Sequence, residues 1–302
     1  MSVHAPAWRQ APDLRVLAAD ALAVRSPEAQ PWWRYANPVD LIRNLLRHRT
    51  LIRQFTWRDI RTRYQGSYLG LFWSLLLPLA MLAAYTFVFR FVFQARWSRS
   101  EESAFEFGLT LFAGLLVFNV FGETVSRAPA LILSHPNFVK RVIFPLEILP
   151  VTSLAATLVH VGASLVVVVA AAVLLMGGVG WQALWVPFIA VPYVCLVLGV
   201  NWFLAALGVF LRDLGPMMVV AVQFLVYLTP VFYPLAFVPE PWQTVMCLNP
   251  LVVFVDSSRR VLLWNQPPDW PALGAATICA LVVLQAGYIW FMKSKRAFAD
   301  VV

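Results

Sequence analysis

Residues 70–93 form a run of 24 positions interrupted by a single charge, Arg90. A helix rises about 1.5 Å per residue, so this run crosses a hydrocarbon core of about 30 Å with length left for tilt. Arg58, Arg61 and Arg63 precede it. Cytoplasmic flanks carry the Lys/Arg excess, which places the near end of this helix in the cytoplasm. Every later segment takes its orientation from this junction.

The whole chain supports a membrane reading. Hydrophobic residues make up 61 % and charged ones 13 %, against roughly 45–50 % and about 25 % in soluble domains. The net charge of +8 reflects topology and not nucleic-acid binding, because 11 of the 23 Lys and Arg lie before Gly70. Cys195, Cys247 and Cys279 show no metal-ligand spacing and read as small buried apolar residues. No metal or other cofactor is expected on this chain.

Residues 1–30 contain no apolar run and read as a weakly ordered cytoplasmic tail, followed by interfacial Trp32, Trp33 and Tyr35. The remainder, 31–302, reads as one transmembrane domain. Residues 37–63 predict an amphipathic helix in the headgroup plane, with Leu41, Leu45, Ile52 and Phe55 opposite Arg43, Arg47, Arg58 and Arg61. Spans are then expected at about 70–93, 107–125, 151–176, 183–211, 216–233 and 273–292. The fold class is all-α, with six transmembrane helices.

Residues 234–271 are apolar but cut by Pro234, Pro239, Pro241, Pro250, Pro267 and Pro268. Such short pieces dip into a membrane and return against protein. In the helix after Pro250, Leu251, Phe254, Val255, Ser258, Val261 and Leu262 share a stripe, which Asp256, Arg259 and Arg260 interrupt elsewhere. Six spans put eighteen Lys and Arg on the cytoplasmic side and five outside, with both termini in.

No Gly-Lys-Ser/Thr phosphate loop, HExxH or GxSxG occurs, and the four histidines lack ligand spacing. His160, within the third span, reads as a helix–helix hydrogen-bonding residue, since the spans lack an Asp/Glu/His relay. A transport path without its own energy source needs a partner. The 126–150 loop is the contact expected for it. Ser134 and Pro136 start a short helix and Phe144-Pro145 stop it, presenting Asn137, Phe138, Lys140 and Arg141. Phe138 is expected as an apolar knob. Trp73, Tyr85, Phe89 and Phe93 give the first span an aromatic stripe that suits the C–H faces of sugars.

Three segments carry a family resemblance: RTRYQGSYLGLFWSLLLPLAMLAAYTFVFRFVF at 61–93, HPNFVKRVIFPLEILP at 135–150, and TPVFYPLAFVPE with LNPLVVFVDSSRRVLL at 229–263. The chain from about Asn37 onward resembles the permease of type-2 ABC exporters for polysaccharides, the group that moves O-antigen, capsule and teichoic acid across the bacterial inner membrane. The resemblance implies a homodimer with two ATP-binding cassette subunits, which bind ATP and Mg on the partner chains. It implies an interface helix at 37–63 and a coupling helix at 135–145 that includes Pro136, Phe144 and Pro145. It further implies two short periplasmic gate helices at 234–265, with Tyr233, Asn249, Pro250, Arg259 and Arg260 at the gate. Its substrate is a lipid-linked glycan, usually on undecaprenyl diphosphate, which Arg58, Arg61 and Arg63 would reach. An exporter of another lipid or drug is the nearest alternative. An intramembrane enzyme acting on lipid-linked sugars lacks its convergent carboxylates, and a secondary transporter lacks inverted repeats.

Overall fold

The computed structural model describes residues 37–64, 73–94, 97, 103–139, 144–176 and 178–301, all within the unit Tyr35–Val302. The N-terminal tail and the Trp32, Trp33 and Tyr35 anchors lie outside the described residues. Helices and the turns that join them make up the described residues, without a strand.

The chain opens with α1 (Pro38–Arg47) and α2 (Arg49–Tyr64). Asn37 caps α1 by accepting from Val39 N at 3.0 Å, and Pro38 fits the first turn because its missing N–H loses no bond there. The single helix expected over 37–63 is corrected to two. His48 leaves helical geometry, and its ring Nδ1 donates to Asn44 O at 2.9 Å, competing with the main chain for that carbonyl. The expected faces are otherwise present: Leu41 is buried, Leu45, Ile52 and Phe55 half-buried, and Arg43, Arg47, Arg58 and Arg61 exposed.

The first apolar run forms α3 (Trp73–Tyr85), which continues as a π-helical segment, Thr86–Val92. Thr86 Oγ1 donates back to Leu82 O at 2.7 Å where the winding changes. The bundle continues with α4 (Ala104–Arg127), the single turn α5 (Pro136–Val139), α6 (Ile148–Leu175), α7 (Val186–Phe210) and α8 (Leu214–Leu228). Two short helices follow, α9 (Glu240–Cys247) and α10 (Pro250–Leu262), then α11 (Trp270–Ser294) and α12 (Phe298–Val301). Among the described residues, four helical segments are long and apolar enough to cross a membrane: Ala104–Ala130, Ile148–Leu174, Trp181–Phe210 and Trp270–Ala297. Leu76–Val92 and Leu214–Leu228 are shorter apolar helices. The helix expected over 216–233 stops at Leu228, because Thr229 is extended ahead of Pro230, where a helical conformation would clash with the proline ring.

The core helix is α4, buried without a break from Phe107 to Leu116. A capping box starts it: Ser103 Oγ accepts from Glu106 N at 3.1 Å while Glu106 accepts from Ser103 N at 3.0 Å. The expected burial of the cysteines is corrected for two of three, since Cys247 and Cys279 are exposed on helix surfaces and Cys195 is half-buried. In a membrane protein the lipid-facing surface is as apolar as the core, so small apolar residues have no preference for the inside.

The tightest contact joins α7 and α11. A Cβ on Gly287 would lie 2.0 Å from Gly199 O, and one on Gly199 would lie 2.5 Å from Val283 O. Small residues of this kind let two membrane helices meet backbone to backbone. Gly287→Ala should therefore cost about 1–3 kcal/mol of stability, since the obstructing atom is main chain and cannot rotate away. Gly162→Ala, with nothing within 4 Å of the added methyl, should be neutral or gain about 0.5 kcal/mol from helix propensity. Thermal unfolding of the two purified variants in detergent compares them directly.

Candidate functional site

Antiparallel connections give the bundle two ends. One gathers the start of α6 with the ends of α4, α7 and α11; the other gathers α9, α10 and the start of α11. A buried polar group organises each.

At the first end it is Glu147, in the turn that leads from the 126–150 loop into α6, with 4 % of its surface exposed. Lys295 Nζ donates to its Oε2 at 2.6 Å and Asn44 Nδ2 to its Oε1 at 3.1 Å. Asn44 also donates to Tyr288 Oη at 3.1 Å. The Glu147 carbonyl accepts from Trp202 Nε1 at 2.9 Å, and Asn201 Nδ2 reaches Pro150 O at 2.9 Å. The loop root is thus tied to α1, α7 and α11 at once. Burial alone would raise the Glu147 carboxyl. The Lys295 charge, with hydrogen bonds from Lys295 and Asn44, outweighs it and holds the group below the ordinary value of 4.5. Sequence reasoning missed this knot. Its one signal was a carboxylate set among apolar residues, FPLEILP, where a charge persists only with a partner.

At the second end it is Arg259, which is 2 % exposed. Its guanidinium donates to Thr110 O at 2.9 Å, Pro230 O at 2.8 Å and Val231 O at 2.6 Å, and lies 4.3 Å from the Trp97 ring centroid. Burial lowers its pKa to about 9, against which the nearby Asp256 charge raises it, so it remains a cation at neutral pH. Arg259 was expected to interrupt the outer surface of its helix. It lies instead among the buried side chains, because its forked donors meet the Thr110 carbonyl of α4 and the Pro230 and Val231 carbonyls just past α8. Gly114 makes room, since a Cβ there would lie 2.2 Å from the guanidinium.

The other residues expected at a gate surround this anchor. Asn249 caps α10 through Leu251 N at 3.1 Å and donates to Thr229 Oγ1 at 3.1 Å. Pro250 occupies the first turn, Arg260 pairs with Asp256 at 2.7 Å, and Tyr233 donates to Tyr227 O. A cavity of about 420 Å³ runs beneath them, lined by Asp256, Arg260, Trp264 and Asp269 among others.

The stripe Tyr85, Phe89 and Phe93 is present, with successive ring centroids 6.4 and 5.8 Å apart. Phe89 stacks on Phe232 at 5.3 Å, and Phe93 is exposed. Trp73 opens α3; its side chain lies outside the described residues.

In the expected coupling loop, Pro136 and Asn137 are exposed, while Lys140 and Arg141 lie outside the described residues. Phe138, expected as an apolar knob, has ring partners within this chain. It is half-buried, stacked on Phe144 with centroids 4.5 Å apart and edge-on to Phe55 at 5.4 Å. Pro145 is half-buried and its carbonyl accepts from Ile148 N at 3.1 Å. This aromatic trio fastens the loop to α2.

The arginines expected at a diphosphate divide. Arg58 and Arg63 line a cavity of about 690 Å³ between α2, α4 and the loop, together with Asp59, Arg127, Ser134 and His135. Arg61 points elsewhere, over the Trp57 ring at 5.1 Å. Arg63 pairs with Glu123, which also accepts from Arg127 at 3.1 Å. Cationic groups exceed the lone Asp59 on the cavity wall, so it favours an anion.

The sequence pattern of the ABC-2 type transporter family matches residues 50–263. This chain belongs to that family. It is similar to the O-antigen export system permease protein RfbA of Myxococcus xanthus, 25 % identical over 264 residues, covering 87 % of this chain and 99 % of that one. The protein of the same name from Klebsiella pneumoniae is 23 % identical over 255 residues, covering 83 % and 95 % of the two chains. The polysialic acid transport protein KpsM of Escherichia coli is 20 % identical over 244 residues, covering 80 % and 92 %.

The Glu147 knot makes a signed prediction. Lys295→Met leaves a carboxylate buried without its cation and should cost about 3 kcal/mol. Glu147→Gln leaves an ammonium that is 28 % exposed and can reach water, so it should cost about 1–2 kcal/mol. In the native chain the depressed carboxyl contributes stability that is present above 4.5 and lost as pH falls through its lower folded value. In Lys295→Met, burial is no longer offset, the carboxyl is raised, and stability should increase as pH falls. Melting temperatures across about pH 2.5 to 8 measure both slopes.

Proposed function

We propose that this chain is the membrane-spanning subunit of an ATP-driven exporter that moves a lipid-linked polysaccharide from the cytoplasm to the periplasm. The observation that carries the reading is the length of the likeness. Nearly the whole of an O-antigen export permease aligns with this chain, and a polysialic acid transport protein aligns over most of its own length too. The arginine-lined cavity adds a chemical reason, since forked guanidinium groups suit the diphosphate of an undecaprenyl carrier.

In this reading the protein works in the bacterial inner membrane as a homodimer with two ATP-binding cassette subunits, which hold ATP and Mg. The four long apolar helices and the two shorter ones make six spans, leaving both termini cytoplasmic in agreement with the Lys/Arg distribution. The loop at 126–150 contacts the ATPase through its exposed Pro136 and Asn137 and through Lys140 and Arg141. Phe138, Phe144 and Phe55 pass its displacement to α2, and the Glu147 knot passes it to α1, α7 and α11. The α9–α10 hairpin faces the periplasm and closes the exit.

Deleting this coding sequence should abolish one surface polysaccharide and leave its lipid-linked form on the cytoplasmic leaflet, and re-expression should restore export. Unchanged surface glycan together with loss of export of another lipid or a drug would assign the protein to a different substrate class. Topology has its own measurement. A cysteine at Asn265 or Asp269, placed in a variant lacking Cys195, Cys247 and Cys279, should react with an impermeant reagent from the periplasm. One at Ser294 should not. Equal labelling of positions 269 and 294 contradicts six spans.

A further inference from the structure

The arginine cavity has a neighbour. A second cavity of about 530 Å³ lies within the bundle between α3, α4, α6 and α8. Its polar wall includes Asn119, Glu123, His160, Ser164 and Gln223, with Tyr85 among the apolar residues opposite. Ser126 lines both cavities. Arg63 and Arg127 line the first and Glu123 the second, so their ion pairs straddle the boundary.

We propose that Glu123 is an internal stand-in for the substrate's anionic headgroup: it holds Arg63 and Arg127 at rest, and a diphosphate displaces it, opening the boundary between the two cavities. This rests on the reading that the substrate is a lipid diphosphate.

Three observations carry it. Both arginines bond the same carboxylate oxygen, Glu123 Oε1, an arrangement in which one anion bridges two cations. A diphosphate offers more acceptor oxygens and more charge than a carboxylate, and arginine forks fit it in bidentate fashion. The Glu123 side chain is 30 % exposed, and those of Arg63 and Arg127 are 21 % and 58 % exposed. Partial exposure, greatest at Arg127, makes this set cheaper to rearrange than a fully buried pair.

The contrast with Glu147 sharpens the assignment. The Glu147 side chain is 6 % exposed against a lysine, so its pair cannot be traded without stranding a buried charge. The bundle keeps one pair to hold and another to release. A freed Glu123 is not stranded, because Asn119, Ser164 and Gln223 share its cavity. There the carboxylate and amides form the acceptor and donor pattern that sugar hydroxyls pair with. Displacement by the headgroup would thus prepare the polar chamber for the first sugars.

The test is binding of radiolabelled farnesyl diphosphate to the purified full-length chain in detergent. Removing the stand-in should improve binding. Glu123→Gln should bind about fivefold more tightly than the native chain, the size expected of a partly exposed ion pair. Glu123→Asp, shorter but still charged, should fall between the two and decides the question if Glu123→Gln does not purify as a monodisperse species. Arg63→Gln should bind at least about tenfold more weakly, having lost a charge-assisted bidentate contact. Loss of binding in Arg63→Gln with no gain in either Glu123 variant overturns the stand-in while the diphosphate site survives. Binding indifferent to Arg63 overturns the diphosphate reading and the stand-in with it. An equal gain for phosphatidic acid overturns the assignment to a diphosphate.

Discussion

A carboxylate removed from water at the end of a membrane bundle must be neutralised or the bundle does not close. Glu147 meets this condition through Lys295, more than a hundred residues away, and through Asn44 on the opposite side of the sequence. The condition binds the architecture as a whole. It fixes where α11 ends, because Lys295 must arrive within hydrogen-bonding distance. It fixes the azimuth of α1, because Asn44 must face inward while Arg43 and Arg47 face out. It fixes α7 as well, through the Trp202 indole on the Glu147 carbonyl. Any displacement of the loop root at Glu147 therefore reaches three distant helices at once.

The electrostatic groups form a graded series. The Glu147–Lys295 pair is buried and costly to break, the Arg63–Glu123–Arg127 set is partly exposed and cheaper to rearrange, and Arg259 is buried but satisfied by main-chain oxygens alone among its described hydrogen bonds. Burial decides which of these can take part in an exchange with a ligand. The same four cations would be indistinguishable by charge counting.

Much of the fold was legible because its signals are local. Apolar length marked six segments that each contain a helix, and Asn-Pro marked the starts of both α1 and α10. The inward stripe of α10 followed from a period of 3.6 residues, with Leu251, Phe254, Val255, Val261 and Leu262 all buried. What escaped depends on distant partners. Nothing near Arg259 in the sequence announces the carbonyls of Thr110, Pro230 and Val231, so its burial could not be read from its helix face. Nothing beside Phe138 in the sequence announces its ring contacts with Phe55 and Phe144. His48 broke a helix without proline or glycine, through its own side chain. Of the site, the arginines at 58 and 63 were legible as a flank of excess charge. Glu123 as their partner was not, because a lone carboxylate near the end of a span reads as a blemish in the hydropathy.

Arg259 has a mechanical consequence. Its three bonds fasten α10 to the first residues after α8 and to Thr110 in the second turn of α4, so the short helix and the Pro230–Val231 turn behave as a single plate. Peeling α10 away would break all three of these bonds at once. Any movement of α10 would consequently carry the Pro230–Val231 turn with it, with the pivot set where α8 stops, at Thr229.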